Sequence, residues 1–320
     1  MGQLVGIADV DAAAERIAGR VLRTPTVPSP GLGAYLGAPV TLKLELLQRT
    51  GSFKPRGATS KLLGLSDAER AVGVVAVSGG NHGLALADVA ATLGIAATVV
   101  MPESAPARSV AMARRSGATV RLTPDMAGAF TLLDELVVGG LTLVHPFDDP
   151  VVLAAQGTVG AEFAADAPDV TDVLVSIGGG ALISGVAAAF RAMRPGVRIW
   201  GVETVGAEAM SRALAAGGPT PVELSSLVST LSAPMVSQLT YDHVAALVED
   251  VLVVPDADAV RGVLTLAEEA KVWAEPAAGC LVPAARQVLD RVGPGARLGL
   301  VVCGGNVTPA DVATWTSRLA

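Results

Sequence analysis

The chain has 320 residues, rich in Ala, Val, Leu and Gly, with aromatics at only 3 % of positions; single cores stop growing near this length, so two lobes are expected. The 23 basic and 30 acidic residues give a net charge of −7, which argues against nucleic acid as a partner, and no Lys or Arg run offers a membrane-surface patch. No apolar stretch reaches the roughly 18 residues of a membrane span, the N-terminus lacks the order of a signal peptide, and two cysteines are too few for a disulfide framework, so a soluble cytoplasmic protein is expected.

In chain order, Asp9 is expected to cap an amphipathic helix running to about Arg20, with Val10, Ala13, Ile17 and Val21 on one face. Thr24-Pro25 and residues 28–33 read as loop. Residues 40–45 alternate like a strand and lead into Gly51-Ser52-Phe53-Lys54-Pro55-Arg56-Gly57-Ala58, ahead of a helix predicted over 56–65. From Gly73 strand and helix alternate. Strands are predicted at 74–77, 98–101, 119–122 and 141–144, with helices ending at Gly94 and covering 106–115 and 126–138. A second series has a helix at 151–165, a strand at 170–176, a helix at 182–193, strands at 197–202, 251–254 and 298–302, and helices near 207–216, 257–270 and 279–292. This alternation implies an α/β protein with two open, mostly parallel twisted sheets and helices on both faces. The Pro- and Ser-rich stretch 217–240 lacks periodicity and reads as an ordered loop over the site.

Four stretches carry chemistry. Lys54 is expected at a helix N-terminus, where the macrodipole disfavours a cation, and Pro55 suits a first helical turn. A lysine that must become neutral to form an imine with a carbonyl cofactor gains from that position; taken alone, an exposed loop lysine is the plainer reading, and the other three stretches overturn it. Each of those follows a predicted strand, where open α/β sheets place ligands. Ser176-Ile177-Gly178-Gly179-Gly180-Ala181-Leu182 is a strand, a glycine turn and a helix start. Converging N–H groups and the helix dipole suit a phosphate there, and three consecutive glycines favour such a cup over a plain tight turn. Ser78-Gly79-Gly80-Asn81-His82-Gly83 also joins strand to helix: Asn81 can donate to a phenolate-like oxygen, while Ser78 and the loop N–H groups can receive a carboxylate. His82 has no second ligand at metal spacing and suits capping or packing. Cys303, between the last strand and Gly304-Gly305, can approach an aromatic nitrogen edge-on or serve as a small buried thiol.

Together these stretches resemble fold type II (tryptophan synthase β-like) pyridoxal-phosphate enzymes, and within them the threonine/serine dehydratase and serine racemase family. Gly51-Ser52-Phe53-Lys54 with Arg56-Gly57-Ala58 is similar to the Schiff-base motif, and His145-Pro146-Phe147-Asp148-Asp149-Pro150 with Gln156-Gly157-Thr158 to the dehydratase connector. Gly201-Val202-Glu203, Glu275-Pro276-Ala277-Ala278 and Cys303-Gly304-Gly305-Asn306 match in order, so the resemblance covers nearly the whole chain. It implies a large cofactor domain from 1–70 and 150–320 and a small domain, 71–149, closing over the active site. Lys54 would hold pyridoxal 5'-phosphate and, once released, remove the substrate α-proton. Phe53 would pack on the ring, Asn81 would bond its hydroxyl, Gly178, Gly179, Gly180, Ala181 and Leu182 would cup the phosphate, and Cys303 would face the pyridine nitrogen. Ser78, Gly79, Gly80, Asn81 and His82 would bind an amino-acid substrate. A thiol cannot hold the pyridine nitrogen firmly protonated, which favours expelling a β-hydroxyl over a long-lived carbanion; the aminoacrylate so formed hydrolyses to a 2-oxo acid and ammonia. The resemblance also implies a homodimer.

Departures narrow the expectation. Serine racemases carry a hydroxyl residue where this chain has Gly79, so an L-specific lyase with little racemase activity is expected. The racemase-type cation site would take Glu203, the carbonyl of Ala207 and an acid at 209. Here Ala209 breaks that pattern, with Glu208 as a conceivable substitute, so no metal is expected. With the sequence ending at Ala320, the effector domain of biosynthetic threonine deaminases, and feedback through it, is not expected. Ser229-Thr230-Leu231-Ser232-Ala233-Pro234 replaces an Ala-Asp-Gly-type loop that touches the substrate in relatives, so a 3-hydroxy amino acid other than plain threonine is admitted as substrate. A β-replacement enzyme and a non-catalytic amino-acid binder on the same scaffold are the rival readings.

Overall fold

The computed structural model describes residues 4–319; residues 1–3 and 320, the extremes of the expected large domain, lie outside them. Ten strands form two sheets. The larger uses β1 (Thr26–Pro28), β2 (Val40–Lys43), β7 (Asp172–Ser176), β8 (Arg198–Thr204), β9 (Asp250–Val254) and β10 (Leu298–Val301) in the order β1-β2-β10-β7-β8-β9. The smaller uses β3 (Val74–Val77), β4 (Ala97–Pro102), β5 (Thr119–Thr123) and β6 (Thr142–Leu143) in the order β5-β4-β3-β6. Every pairing is parallel except β1 with β2. Parallel strands covered on both faces read as near-continuous apolar runs: β7 and β10 are buried at every residue, and the polar ends of β7 are bonded, Asp172 to Arg198 and Trp200 and Ser176 to Cys303. In the smaller sheet Val74 pairs with Ala97, and in the larger Leu298 pairs with Val40 on one side and Asp172 on the other.

The sheets have separate cores, one around Leu174, Phe163 and Phe190, the other around Leu62, Leu86 and Met101. The helix Lys54–Leu63 joins them. Its Ala58 and Leu62 belong to the smaller sheet's core, while Gly57 lies against Gln156 and Val152 of the helix Pro150–Asp166.

Several elements differ from the sequence reading. The helix expected from 56 starts at Lys54 itself, because Pro55 fits the first turn and Phe53 serves as N-cap. Asp9 is the third residue of the helix Ile7–Ile17, bonding back to the N–H of Gly6, which is the cap. Residues 30–36 and 67–72, read as loop or passed over, are short helices; Ser66 and Glu69 form a capping box on the second. The helix expected over 279–292 is two, Pro276–Gly279 and Leu281–Val292, turning at Cys280. The loop expected to reach 240 stops at Ser237, which caps a helix Gln238–Leu247. A last helix, Pro309–Leu319, follows the final strand.

Candidate active site

Lys54 opens the helix that joins the two cores. Its Nζ donates to the carbonyl of Pro146 at 3.1 Å and stands 5.0 Å from the centroid of the Phe53 ring. Burial pulls its pKa down to about 8, against the opposing pull of Cys303 and Glu275. The turn before it is pinned to the last strand: Phe53 N–H donates to the Cys303 carbonyl, and Ser52 bridges Gly304. Lys54 and Cys303, 249 positions apart in sequence, are thereby held on adjoining backbone.

The Cys303 thiol is buried, with Ser176 Oγ 3.4 Å from its Sγ. Desolvation, helped by Glu275, pushes its pKa up to about 12, so it stays protonated. After β7 the glycine turn leads into the helix Ala181–Met193, with Gly180 as a left-handed N-cap at φ 95°. Only glycine adopts that conformation without strain. Ala181 and Leu182 are buried in the first turn, where the leading N–H groups of a helix have no partner within it. The connector from β6 enters the same place: the Phe147 ring lies against Gly179, one residue after the carbonyl that holds Lys54.

The loop 78–82 closes the site from the smaller sheet. Ser78 Oγ accepts the N–H of Gly80, so it shapes the loop. Asn81, the first residue of the helix Asn81–Leu93, donates Nδ2 to both oxygens of Glu275 (2.9 and 3.2 Å) and accepts from Asn306 Nδ2 at 2.8 Å. His82 Nε2 donates to the Val144 carbonyl at 2.8 Å; burial and the charge of Lys54 lower its pKa to about 3, leaving a neutral ring that ties helix to connector.

Glu275 is the functional-site residue that reading by motif underused. Its buried carboxyl accepts from Asn81 and the Asn306 N–H, and Thr230 also bonds it. Desolvation raises its pKa despite these donors and Lys54. Thr230 lies between it and Gly80, whose added Cβ would be 3.6 Å from Thr230 Cγ2. The signals available were the Glu275-Pro276-Ala277-Ala278 stretch and, for Thr230, its place in the loop 229–234.

The cation pattern is not assembled. Glu203 accepts from the N–H groups of Met210 and Ser211 (2.7 and 2.9 Å) and from Ser211 Oγ, capping the helix Ala209–Ala216 with both oxygens. Glu208 turns to the Gly206 N–H and Arg212. Ala209 offers a buried methyl group.

Among the described residues no helix is long and apolar enough to cross a membrane. Residues 17–304 match the model of the family described as pyridoxal-phosphate dependent enzyme. The chain is 37 % identical over 310 residues to an L-threonine ammonia-lyase of Thermotoga maritima, covering 95 % of this chain and 76 % of that one. It is 38 % identical over 322 residues to an L-threo-3-hydroxyaspartate ammonia-lyase of a Pseudomonas species, covering 99 % of both. The structure of maize serine racemase superposes with a TM-score of 0.90 at 32 % identity, over 99 % of this chain and 97 % of that one. With a lysine, a glycine-capped helix end and a buried thiol converging between two parallel sheets, and with the family model spanning both, this chain belongs to the pyridoxal-phosphate dependent enzymes.

Proposed function

We propose that the chain is an ammonia-lyase that converts an L-3-hydroxy amino acid of the threonine or serine type to a 2-oxo acid and ammonia, by α,β-elimination of water. The observation that carries this reading is the Lys54 amine: half-buried, shifted to about 8, and one connector residue from the glycine turn. The site fits pyridoxal phosphate. The amine suits its aldehyde, the helix end at 178–182 suits its phosphate, Phe53 lies beside the amine, and the Cys303 thiol offers a neutral partner to the ring nitrogen. When bound, the cofactor supplies the electron sink.

The chain's own groups do the rest. Lys54 Nζ would accept the substrate α-proton. The N-terminus of the helix Asn81–Leu93 and the 78–80 loop receive the substrate carboxylate. Asn81, its amide oriented by Glu275 and Asn306, keeps donor capacity for the ring hydroxyl. Residues 71–149 act as the small domain that closes on the remainder and excludes water. The same reading includes a cytoplasmic homodimer, supported by the family and by two buried free cysteines; sedimentation at twice the chain mass checks the dimer.

Racemisation is the second reading, prompted by the likeness to the maize enzyme. Gly79 opposes it. It carries no hydroxyl for the opposite face of the substrate, and an added Cβ would come 3.0 Å from Ala105 Cβ, so Ala105 must yield to any side chain there. The deciding experiment assays L-threonine, L-serine and bulkier or acidic analogues for 2-oxo acid, with Lys54→Ala as control. Ammonia and 2-oxo acid should appear without added nucleophile and vanish in the variant, and borohydride should label the Lys54 peptide. D-Serine formed as fast as pyruvate would favour the racemase, and dependence on an added nucleophile a β-replacement enzyme.

A further inference from the structure

The glycines at 178–180 differ in what they make room for. Gly180 is required by its φ of 95°. Gly179 has no positive φ among the glycines that do, yet a Cβ there would fall 2.0 Å from Phe147 Cδ1 and 2.1 Å from Cγ. The Phe147 ring therefore rests directly on the α-carbon of Gly179, on ground no side chain can share.

Phe147 is held from the other side as well. His145 Nδ1 accepts the N–H groups of Asp148 (2.7 Å) and Phe147 (3.3 Å), folding the connector into a tight turn. The two rings meet edge to face at 4.7 Å. Asp149 caps the helix Pro150–Asp166 and pairs with Lys61 at 2.6 Å. Within this turn the carbonyl of Pro146 holds Lys54 Nζ and the next side chain holds Gly179.

From this geometry we propose that Phe147 is a positioning residue: its ring, seated on Gly179, sets the phosphate-binding turn at a fixed separation from Lys54. Position 179 is glycine to seat that ring. The connector between the two sheets thus gauges both ends of the cofactor site. The inference rests on the pyridoxal-phosphate reading above.

The test titrates the apoprotein with pyridoxal phosphate and, separately, with pyridoxal, following uptake by absorbance. The ratio of the two dissociation constants reports what the phosphate contributes, and general destabilisation would weaken both ligands alike. Gly179→Ala should lower the ratio by about tenfold or more, the equivalent of one decade of affinity. Gly179→Ala/Phe147→Ala should lower it no further than Gly179→Ala alone, because both changes remove the same contact. An unchanged ratio in Gly179→Ala, or losses that add in the double variant, overturns the inference. Should Gly179→Ala fail to fold, Phe147→Leu replaces it: a lowered ratio supports the gauge and an unchanged one overturns it. If the unaltered protein takes up no pyridoxal phosphate, the functional reading itself falls, which is a separate outcome.

Discussion

Burial disfavours charge on Lys54, His82 and Cys303 alike: the imidazole and the thiol stay neutral at pH 7, and the amine gives up its proton near pH 8. Lys54 matters most, because only the unprotonated amine attacks an aldehyde. Its pKa lies near 8 instead of 10.5, so the reactive fraction rises with pH through about 8. The rate at which apoprotein takes up pyridoxal phosphate should inflect there; an inflection near the ordinary lysine value would show that the amine is solvated. Lys54, Asn81 and Cys303 were readable from sequence because each sits in a short motif at a strand or turn end. Glu275 and Thr230 stood in stretches the resemblance singled out, but their contacts were not readable, because one joins residues 194 apart and the other crosses a loop without periodicity.

Elements around the site are fixed by buried charge. Arg56, two residues into the lysine helix and fully buried, forks to Glu45 (2.8 and 2.9 Å) and to Glu162 (2.7 and 2.9 Å), while buried Lys43 also pairs with Glu162 at 2.6 Å. Desolvation pulls the Arg56 pKa down, but the two carboxylates outweigh it and raise it. Arg56→Met would leave Glu45 buried without its partner and should cost about 3–5 kcal/mol in urea unfolding; Arg56→Lys should restore little, since an ammonium cannot fork. A loss below about 1 kcal/mol would mean that the cluster is solvated. Glu203 works at a second helix start. Desolvation raises its pKa from 4.5 to about 7, against the N–H donors of Met210 and Ser211. The native state then holds a proton that the unfolded state has released, so this contribution to stability is fully present below about 4.5 and is lost as pH rises through about 7. Relative to Glu203→Gln, which does not titrate, the protein should lose up to about 3 kcal/mol between those limits, measured by urea unfolding at each end. A difference independent of pH would mean that helix capping keeps the carboxylate ionised throughout. Periodicity located most of these elements but not their ends. The break at Cys280 and the start at Lys54 depend on turn geometry and packing that apolar spacing does not encode.

The alternation of strand and helix announced two parallel sheets, but not that one helix would serve both cores. Lys54–Leu63 contributes Ala58 and Leu62 to the smaller core. On its other side, a Cβ at Gly57 would stand 2.5 Å from Gln156 Nε2 and 2.8 Å from Val152 Cγ1, so the helix is pressed onto Pro150–Asp166 of the larger unit. Arg56 adds its ion pairs on that same side. Neither unit can lose this helix and keep its core, because each would expose large apolar side chains, at roughly 25 cal/mol per Å². The two units should therefore unfold together even though their sheets are separate. Calorimetry of the apoprotein is expected to give one transition with matching calorimetric and van't Hoff enthalpies. Gly57→Val should broaden or split that transition, because forcing a branched side chain against Val152 separates the helix from the larger unit while leaving its contacts with Leu86 and Met101 intact. Two resolved transitions in the unaltered protein would show that the lysine helix belongs to one unit alone. Closure of the smaller sheet over the site would then be motion about that helix, and not motion that carries it.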